Sequence, residues 1–533
     1  MKFAVVKSIF PSWRNIALAI IGAILLILAF PDFEFWYLAW FALVPLMWAV
    51  EREKQSTAKS FVVGWIFGTL FFLGTCWWLT FAPITYAGFP PILAFFLLFC
   101  VTAVSGLFPA IFAALLSILL RRFGSTALLT APFIWALTEF LRYWLTGNNW
   151  NAIGYSQAFR AEMLPLASVG SVYLVGFIVV AFGAFVLWSN LLLIRATNKR
   201  PIYIAAACFW ISLAVLTSLY TGGDVPAELP KTAASAVIAI QPNVPMSGVD
   251  YQRWHQLRQR QIEMAEAEIR KISEQRIANN EKRIANDEPP ITVIFPESPM
   301  NFMYEDDREF QKFINEFARR NNVSVLFNSA EPDKSNGKYF NSAVLVSPQG
   351  SEAAQYDKIY LLPFGEAVPW FLEGILPGFV GNFSYGREYD LLPLGDARAG
   401  VMICFESHFG QLSREYVRNG ADVIIEMTND GYLGPTPILR QHLANAVFRA
   451  VETNRPVLRV TNVGITAYIN ERGQVLDSAP GYTEATRIWY LSKSDGTQTF
   501  YVRFGEWFAW LCSVVTLGLM IMAIRNRKAE ARV

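Results

Sequence analysis

The sequence is poor in histidine, cysteine and charge for a chain of its length. Only 3 histidines, 5 cysteines and 17% charged residues occur among 533 residues, while 53% are hydrophobic. Ligand residues with metal-site spacing are absent, as are a phosphate-binding glycine loop and a dinucleotide fingerprint, so no metal and no cofactor are expected. The net charge of +2 carries no signature of nucleic-acid binding. The excess of apolar residues instead indicates a membrane protein.

Charge is distributed unevenly along the chain. Residues 1–221 carry few charges and are predicted to form a transmembrane domain of about seven helices. Residues 222–504 have the composition of a soluble domain, and 505–533 are predicted to form a C-terminal transmembrane helix with a cytoplasmic tail. A bilayer is crossed by roughly 17–25 apolar residues. Eight runs meet that length, at about 15–31, 34–50, 60–82, 90–120, 125–146, 165–194, 201–221 and 505–525.

Basic residues cluster in alternate loops between these runs. Clusters of lysine and arginine mark the cytoplasmic side of a membrane protein. With eight spans, all the clusters fall on one side, and the domain at 222–504 is therefore expected outside the cytoplasm. The clusters are Lys2 to Arg14, Arg52 to Lys59, Arg121 and Arg122, Arg195 to Arg200, and Arg525 to Arg532.

Two charged residues lie within the fifth predicted span. Glu139 and Arg142 are about one helical turn apart. Charges at such depth are costly and are often retained for function. Both a local ion pair near the membrane interface and a functional role are open for this pair.

The predicted aqueous domain has an alternating pattern of strands and helices. From Ala236 onward, short β-branched runs end at turn residues and alternate with longer helical segments. This order predicts a layered α/β domain. The main predicted strands lie at 237–241, 291–295, 323–328, 399–404 and 421–427.

Three polar residues stand at or near the ends of these predicted strands. Cys404 is the only cysteine outside the long apolar segments, and Glu297 and Lys358 follow other strands. A thiol becomes nucleophilic beside a base, and a lysine lowers its pKa or stabilises an oxyanion. Taken singly, each residue also has a structural explanation. Cys404 is compatible with a buried core cysteine, Lys358 with a surface lysine and Glu297 with an interface acid. Together they form a candidate catalytic set.

A cysteine–histidine pair is the alternative set. A papain-like arrangement needs a histidine beside the thiol. The histidines are His255, His408 and His442, and no local motif distinguishes any of them.

Several sequence blocks resemble a known family. Pro296-Glu297-Ser298, Tyr356-Asp357-Lys358 and Ile403-Cys404-Phe405-Glu406 are similar to the Glu, Lys and Cys blocks of the nitrilase (carbon–nitrogen hydrolase) superfamily. Together with the flanking membrane spans, they resemble the apolipoprotein N-acyltransferases of Gram-negative bacteria. The resemblance implies a polytopic α-helical membrane domain joined to an αββα sandwich, in the inner membrane, with the catalytic domain in the periplasm.

The resemblance also implies a reaction. An acyl chain would pass from a phospholipid donor to the α-amino group of a diacylglyceryl apolipoprotein, through a thioester on Cys404. Glu297 would be the base, and Lys358 with the backbone N–H of Phe405 would stabilise the oxyanion. The resemblance assigns supporting roles to Glu366 and Glu406 and a substrate or lid role to Tyr432.

The sequence departs from the family pattern in three places. The charged helix predicted at 251–285 is longer than is typical of the family. Phe405 follows the cysteine where the family often has tyrosine, and no substrate-arm aromatic is obvious, although Tyr251 and Trp254 are candidates. Two other functions are compatible with the same residues. A membrane-tethered amidase or nitrilase would release the acyl group to water, and a lipid-handling scaffold would leave Cys404 inert.

Overall fold

The computed structural model describes residues 9–147, 149–195, 234–278, 289–297, 300–363, 365–368 and 383–530. The chain divides into two compact units. The first unit comprises Met1–Val225, Thr436–Ala444 and Phe504–Val533, and the second comprises Pro226–Pro435 and Asn445–Arg503. All the strands of the described residues belong to the second unit.

The first unit is helical because its sequence consists of long apolar runs with few charges. Bilayer-length apolar segments satisfy their backbone groups internally only as helices. The helices are α1 (Trp13–Ala29), α2 (Ala39–Glu53), α3 (Thr57–Thr75), α4 (Phe81–Thr85), α5 (Pro91–Ser105), α6 (Leu107–Phe123), α7 (Ala131–Thr146), α8 (Ala167–Arg195) and, near the C-terminus, α14 (Trp507–Glu530).

Four stretches of the described residues are long and apolar enough to cross a membrane. They are Thr57–Thr75, Pro91–Thr146, Leu164–Ile194 and Trp507–Arg525, and Trp13–Ala29 is a shorter apolar helix. The second stretch contains α5, α6 and α7, with a break at Gly106 between the first two. The predicted count of eight spans is therefore not confirmed, and the predicted span at 201–221 lies outside the described residues.

Small residues let helices of the first unit approach closely. A Cβ atom on Gly64 of α3 would lie 2.4 Å from the carbonyl oxygen of Pro109 in α6, and one on Gly68 would lie 2.7 Å from the Pro109 ring. Close packing of small residues is a main source of attraction between membrane helices, because the hydrophobic effect does not drive helices together in apolar lipid. The α3–α6 pair thus depends on these two glycines.

Glu139 and Arg142 of α7 are buried, and each holds the following loop. A Glu139 oxygen accepts the N–H of Ile153 at 2.7 Å, and Arg142 donates to the carbonyl of Trp150 at 2.7 Å. Within the part of the chain that is described, the two charged groups form no direct ion pair within 4.0 Å. Both charges therefore orient the loop that carries Trp150.

Trp150 in turn contacts the short segment Thr436–Ala444 of the first unit. The side-chain carbonyl of Gln441 accepts indole N–H groups from Trp150 at 2.8 Å and from Trp78 at 3.1 Å. The Gln441 amide nitrogen donates to the carbonyl of Thr75 at 3.0 Å. A buried glutamine with these partners satisfies polar groups that lipid could not satisfy.

The last helix completes the first unit. The Trp507 indole donates to the carbonyl of Val169 at 2.8 Å, across 338 residues of sequence. The rings of Phe140 and Trp510 pack edge to face with centroids 5.0 Å apart. The helix α14 therefore contacts elements from the first third of the chain.

The second unit contains two sheets with helices on their outer faces. One sheet has the order β13-β1-β2-β3-β4-β5 with β6 beside β4, and the other has the order β12-β11-β10-β9-β8-β7. The strands are β1 (Ser235–Gln241), β2 (Ile291–Ile294), β3 (Ser324–Asp333), β4 (Lys338–Val346), β5 (Glu352–Asp357), β6 (Phe383–Ser384), β7 (Leu391–Leu394), β8 (Ala397–Ile403), β9 (Val423–Thr428), β10 (Val457–Thr461), β11 (Thr466–Ile469), β12 (Val475–Ala479) and β13 (Ala485–Leu491).

Apolar faces on both sides of the strands explain this layering. The strands β1, β2 and β9 are buried along their whole length, as expected for strands covered on both faces. The helices α9 (Tyr251–Ala278) and α10 (Arg308–Asn321) pack on the first sheet. Gln241 of β1 accepts from Thr461 of β10 at 3.2 Å, which joins the sheets.

The remaining helices belong to the half of the chain that forms the second sheet. They are α11 (Gly410–Arg418), α12 (Ile438–Thr453) and α13 (Phe500–Phe504). The α/β fold with two facing sheets agrees with the predicted sandwich. The predicted helix at 251–285 is observed to Ala278, and its final residues lie outside the described residues.

Candidate active site

Cys404 occupies a sharp turn at the end of a buried strand. The strand β8 ends at Ile403, and residues 404–408 form a short 3-10 turn. Cys404 itself has φ of +52°, a left-handed conformation that costs a side-chain-bearing residue of order 1 kcal/mol. Surrounding contacts must stabilise this turn, and they hold the thiol at a defined position.

Glu406 supplies those contacts. Its buried carboxylate accepts the N–H of Ile403 at 2.8 Å on one oxygen. The other oxygen accepts the N–H groups of Ile359 at 2.8 Å and Tyr360 at 3.0 Å, and the hydroxyl of Tyr356 at 2.8 Å. A single side chain therefore fixes both the turn of Cys404 and the loop that follows Lys358. Burial raises the pKa of Glu406 to about 7, although Lys358 and these donors lower it.

The structure brings Glu297, Lys358 and Cys404 together. Glu297 follows β2, Lys358 follows β5, and the Cys404 thiol donates a hydrogen bond to the Glu297 carboxylate. One oxygen of Glu297 accepts the backbone N–H of Asn429 at 3.1 Å. The sheet order places the ends of β2, β5 and β8 at this one site, although their residues are far apart in sequence.

Glu366 lies next to the lysine. Its carboxylate contacts the Lys358 ammonium at 2.8 Å, and Lys358 is 1% exposed in its side chain. The same carboxylate accepts the N–H of Leu362 at 2.7 Å. Glu366 therefore neutralises the buried ammonium and orients it.

The charges of this cluster are set by burial and by neighbours. Burial raises the pKa of the Cys404 thiol well above 9.0, Glu297 raises it further, and Lys358 opposes them. Burial also raises the pKa of Glu297, against the effect of Lys358. Burial alone would lower the pKa of Lys358, but the carboxylates of Glu366 and Glu297 raise it above 10.5. The resting state is therefore a neutral thiol beside a cationic lysine.

The other predicted residues are Phe405, Tyr432, Tyr251 and Trp254. Phe405 is partly buried, and its ring packs against the rings of His408 and Phe409. Tyr432 is 51% exposed, in the 3-10 turn 430–433 that follows β9. Tyr251 begins α9 and is 76% exposed, while the Trp254 indole donates to the carbonyl of Met300 at 3.1 Å.

The three histidines are placed at separate positions. His408 bonds the carbonyl of Phe405 at 2.9 Å, His255 lies beside Arg258 in α9, and His442 belongs to the first unit. The groups that shift the pKa of Cys404 are Glu297, Lys358, Asp430 and Thr428. Two of the residues predicted from strand ends, Glu297 and Lys358, are therefore among the groups that set the charge environment of the thiol.

A buried charged network that interacts electrostatically with the thiol was not predicted from the sequence. Arg459 of β10 bonds Glu426 of β9 and donates to Asp430 at 2.8 Å, and all three side chains are essentially unexposed. Glu426 and Arg459 are register partners on neighbouring parallel strands. The signal was available, since a charged residue interrupts each of two otherwise apolar runs.

Two family models match separate parts of the chain. Residues 22–185 match the family model described as the apolipoprotein N-acyltransferase N-terminal domain, and residues 278–499 match the one described as carbon-nitrogen hydrolase. A solved amidase from Nesterenkonia sp. is 14% identical with a TM-score of 0.35, covering 52% of this chain and 95% of that chain.

Full-length relatives match almost the whole chain. An apolipoprotein N-acyltransferase from Geobacter metallireducens is 30% identical over 523 residues, covering 96% of each protein. One from Thermotoga maritima is 27% identical, covering 97% of this chain and 96% of the relative. By this identity and coverage, the chain belongs to the apolipoprotein N-acyltransferase family.

Proposed function

We propose that this enzyme transfers an acyl chain from a membrane phospholipid to the α-amino group of a diacylglyceryl-cysteine at the N-terminus of an apolipoprotein. The observation that carries the proposal is the cluster of Glu297, Lys358 and Cys404, in which the lysine is buried and the other two side chains are partly buried, in a chain of this family. A thiol nucleophile with an adjacent base and a fixed cation is suited to acyl transfer through a covalent intermediate.

The first half-reaction forms a thioester. Glu297 takes the thiol proton of Cys404 as the sulfur attacks the ester carbonyl of the phospholipid. The negative charge that develops on the carbonyl oxygen is stabilised by the Lys358 ammonium and the backbone N–H of Phe405. The tetrahedral intermediate then collapses, the bond to the glycerol oxygen breaks, and Glu297 returns the proton to the departing lysophospholipid.

The second half-reaction transfers the acyl group. The lipoprotein amine attacks the thioester carbonyl, and Glu297 accepts a proton from its nitrogen. Collapse forms the amide and expels the Cys404 sulfur, which recovers its proton from Glu297. Both substrates use one site in turn, so the kinetics are ping-pong. Glu366 supports both steps because it holds Lys358 in place.

The membrane helices suit substrates that are both anchored in lipid. We place the enzyme in the bacterial inner membrane, with residues 222–504 in the periplasm. The support for this orientation is the set of basic clusters in alternate loops. Tyr432, which is exposed beside the site, has the character of a substrate-contacting or lid residue.

The function is tested with a phospholipid labelled in its acyl chains and a synthetic diacylated lipopeptide. Transfer of the label to the peptide amine is expected, with stoichiometric release of lysophospholipid, measured by mass spectrometry. A lipopeptide with an acetylated α-amine is the matched control and should remain unlabelled. Labelled free fatty acid as the sole product would identify a hydrolase and refute the proposal.

Activity is expected to fall on the acid side with a midpoint above pH 4.5. Burial raises the pKa of Glu297 above its ordinary value of 4.5, with Lys358 opposing. The ionised carboxylate is the base, so acyl-enzyme formation is retained above that pKa and lost as the pH falls through it. The measurement is kcat/KM against pH. A midpoint at or below 4.5, with the fold intact by circular dichroism, would contradict this assignment.

A further inference from the structure

Asn341 lies between the two carboxylates of the site. It belongs to β4 and is 6% exposed. Its side-chain nitrogen is 3.3 Å from an oxygen of Glu297 and 2.5 Å from an oxygen of Glu366. Its backbone carbonyl accepts the N–H of Lys358 at 2.9 Å. One residue therefore contacts the base, the oxyanion cation and the carboxylate that holds that cation.

The orientation of the Asn341 amide follows from its partners. Carboxylates accept hydrogen bonds when ionised, so the amide NH2 group must face Glu297 and Glu366. The amide oxygen then faces Asn328, whose side-chain nitrogen donates to it at 2.6 Å. In the alternative orientation, the amide oxygen of Asn341 would face the carboxylate oxygens of both Glu297 and Glu366. Asn328 thus holds Asn341 as a double donor.

The site needs such a donor because its anionic groups outnumber its cations. Glu297 is faced by Lys358 after β5, by Glu366 in the following loop, by Cys404 after β8 and by the Asn429 N–H after β9. Lys358 is the cation among these groups, and it also neutralises Glu366. Two carboxylates near one ammonium favour protonation of one of them. A neutral amide that donates to both offsets this tendency without adding charge.

We infer that Asn341 is a positioning residue that keeps Glu297 ionised and aimed at the Cys404 thiol by donating to Glu297 and Glu366 together. The inference rests on the proposed role of Glu297 as the base. Loss of the donor makes the ionised form of Glu297 less favourable. The base is then protonated at a higher pH, and acyl-enzyme formation fails earlier on acidification.

The test is the pH dependence of Cys404 acylation by a labelled phospholipid in Asn341→Ala and Asn341→Asp. A hydrogen bond to a charged group corresponds to a shift of about one pH unit, so Asn341→Ala should move the acid midpoint upward by about that amount. At pH values below the midpoint of the unaltered enzyme, acylation of the variant should be roughly tenfold slower than acylation of the unaltered enzyme. Asn341→Asp keeps the shape of the side chain but adds a third carboxylate, and should shift the midpoint further.

Two further variants keep the outcome decisive. Asn419→Ala removes an exposed asparagine whose side chain contacts the carbonyl of Tyr389, and should leave the profile unchanged. Asn328→Ala removes the side-chain donor to the Asn341 amide, which also bonds the Ser342 carbonyl at 3.0 Å. It should give a smaller shift in the same direction, and it replaces Asn341→Ala as the test if that variant does not fold. A reduced rate with an unmoved midpoint in the folded variants would overturn the inference. Absence of acylation in the unaltered enzyme would instead overturn the proposed function.

Discussion

Replacement of Cys404 by alanine is expected to abolish both the acyl-enzyme and lipopeptide acylation. The thiol sulfur forms the covalent bond in each half-reaction, and no neighbouring side chain of the described cluster can substitute for it. Removing the nucleophile from a site that works as a unit costs at least about 10³-fold in rate. The measurement is transfer of labelled acyl chains from phospholipid to a diacylated peptide, together with intact-protein mass spectrometry.

Cys100→Ala is the matched control for this variant. Cys100 is an exposed free cysteine of α5 in the first unit, so it reports any labelling that follows from thiol accessibility alone. Cys100→Ala should retain both the adduct and the transfer. An acyl adduct or full transfer activity in Cys404→Ala would show that Cys404 is not the carrier.

Arg459→Met is expected to lower the free energy of unfolding of the second unit by about 3–5 kcal/mol, because it removes the cation that bonds the buried carboxylates of Glu426 and Asp430. Asp430 follows Asn429, whose N–H holds Glu297, so the base is also expected to lose its orientation. Hydrogen exchange of peptides from β9 and β10, followed by mass spectrometry, measures the loss of protection.

Arg487→Met is the matched control because it also removes an arginine from an ion pair in a strand. Its partner is Asp477, and both side chains are partly exposed. A pair of this kind contributes about 0–1 kcal/mol, so exchange in β12 and β13 should change little. Equal effects of the two substitutions would show that burial of the Arg459 network does not stabilise the unit as argued.

The strand ends of the catalytic unit could be predicted from the sequence because their signal is local. Apolar runs deliver Cys404 and Glu297 to the ends of their strands, whereas the segment Glu352–Asp357 before Lys358 is largely polar. Pairing between strands such as β2 and β3, or β8 and β9, then follows ordinary α/β rules. The assignment to one reaction needed more than this pattern, and it came from the resemblance to a known family.

Asn341 was not predicted because its importance depends on tertiary contacts alone. In the sequence it is one polar residue in a hairpin strand, 17 positions before Lys358 and 44 after Glu297. Only the antiparallel pairing of β4 with β5, which aligns Ser342 with Asp357, brings it to the lysine. The same limit applies to Gln441, whose indole partners lie hundreds of residues away in sequence.

The position of α14 has a consequence for the order of synthesis. Its partners in the first unit precede it by 338 residues or more, and the whole second unit is translated in between. At roughly 5–20 residues per second, this interval lasts roughly 20–70 s. During that time the membrane helices have no α14 to pack against, and lipid must cover the face around Phe140. The helical first unit is therefore the first part of the protein to enter the membrane, but its packing is completed only when α14 has been translated.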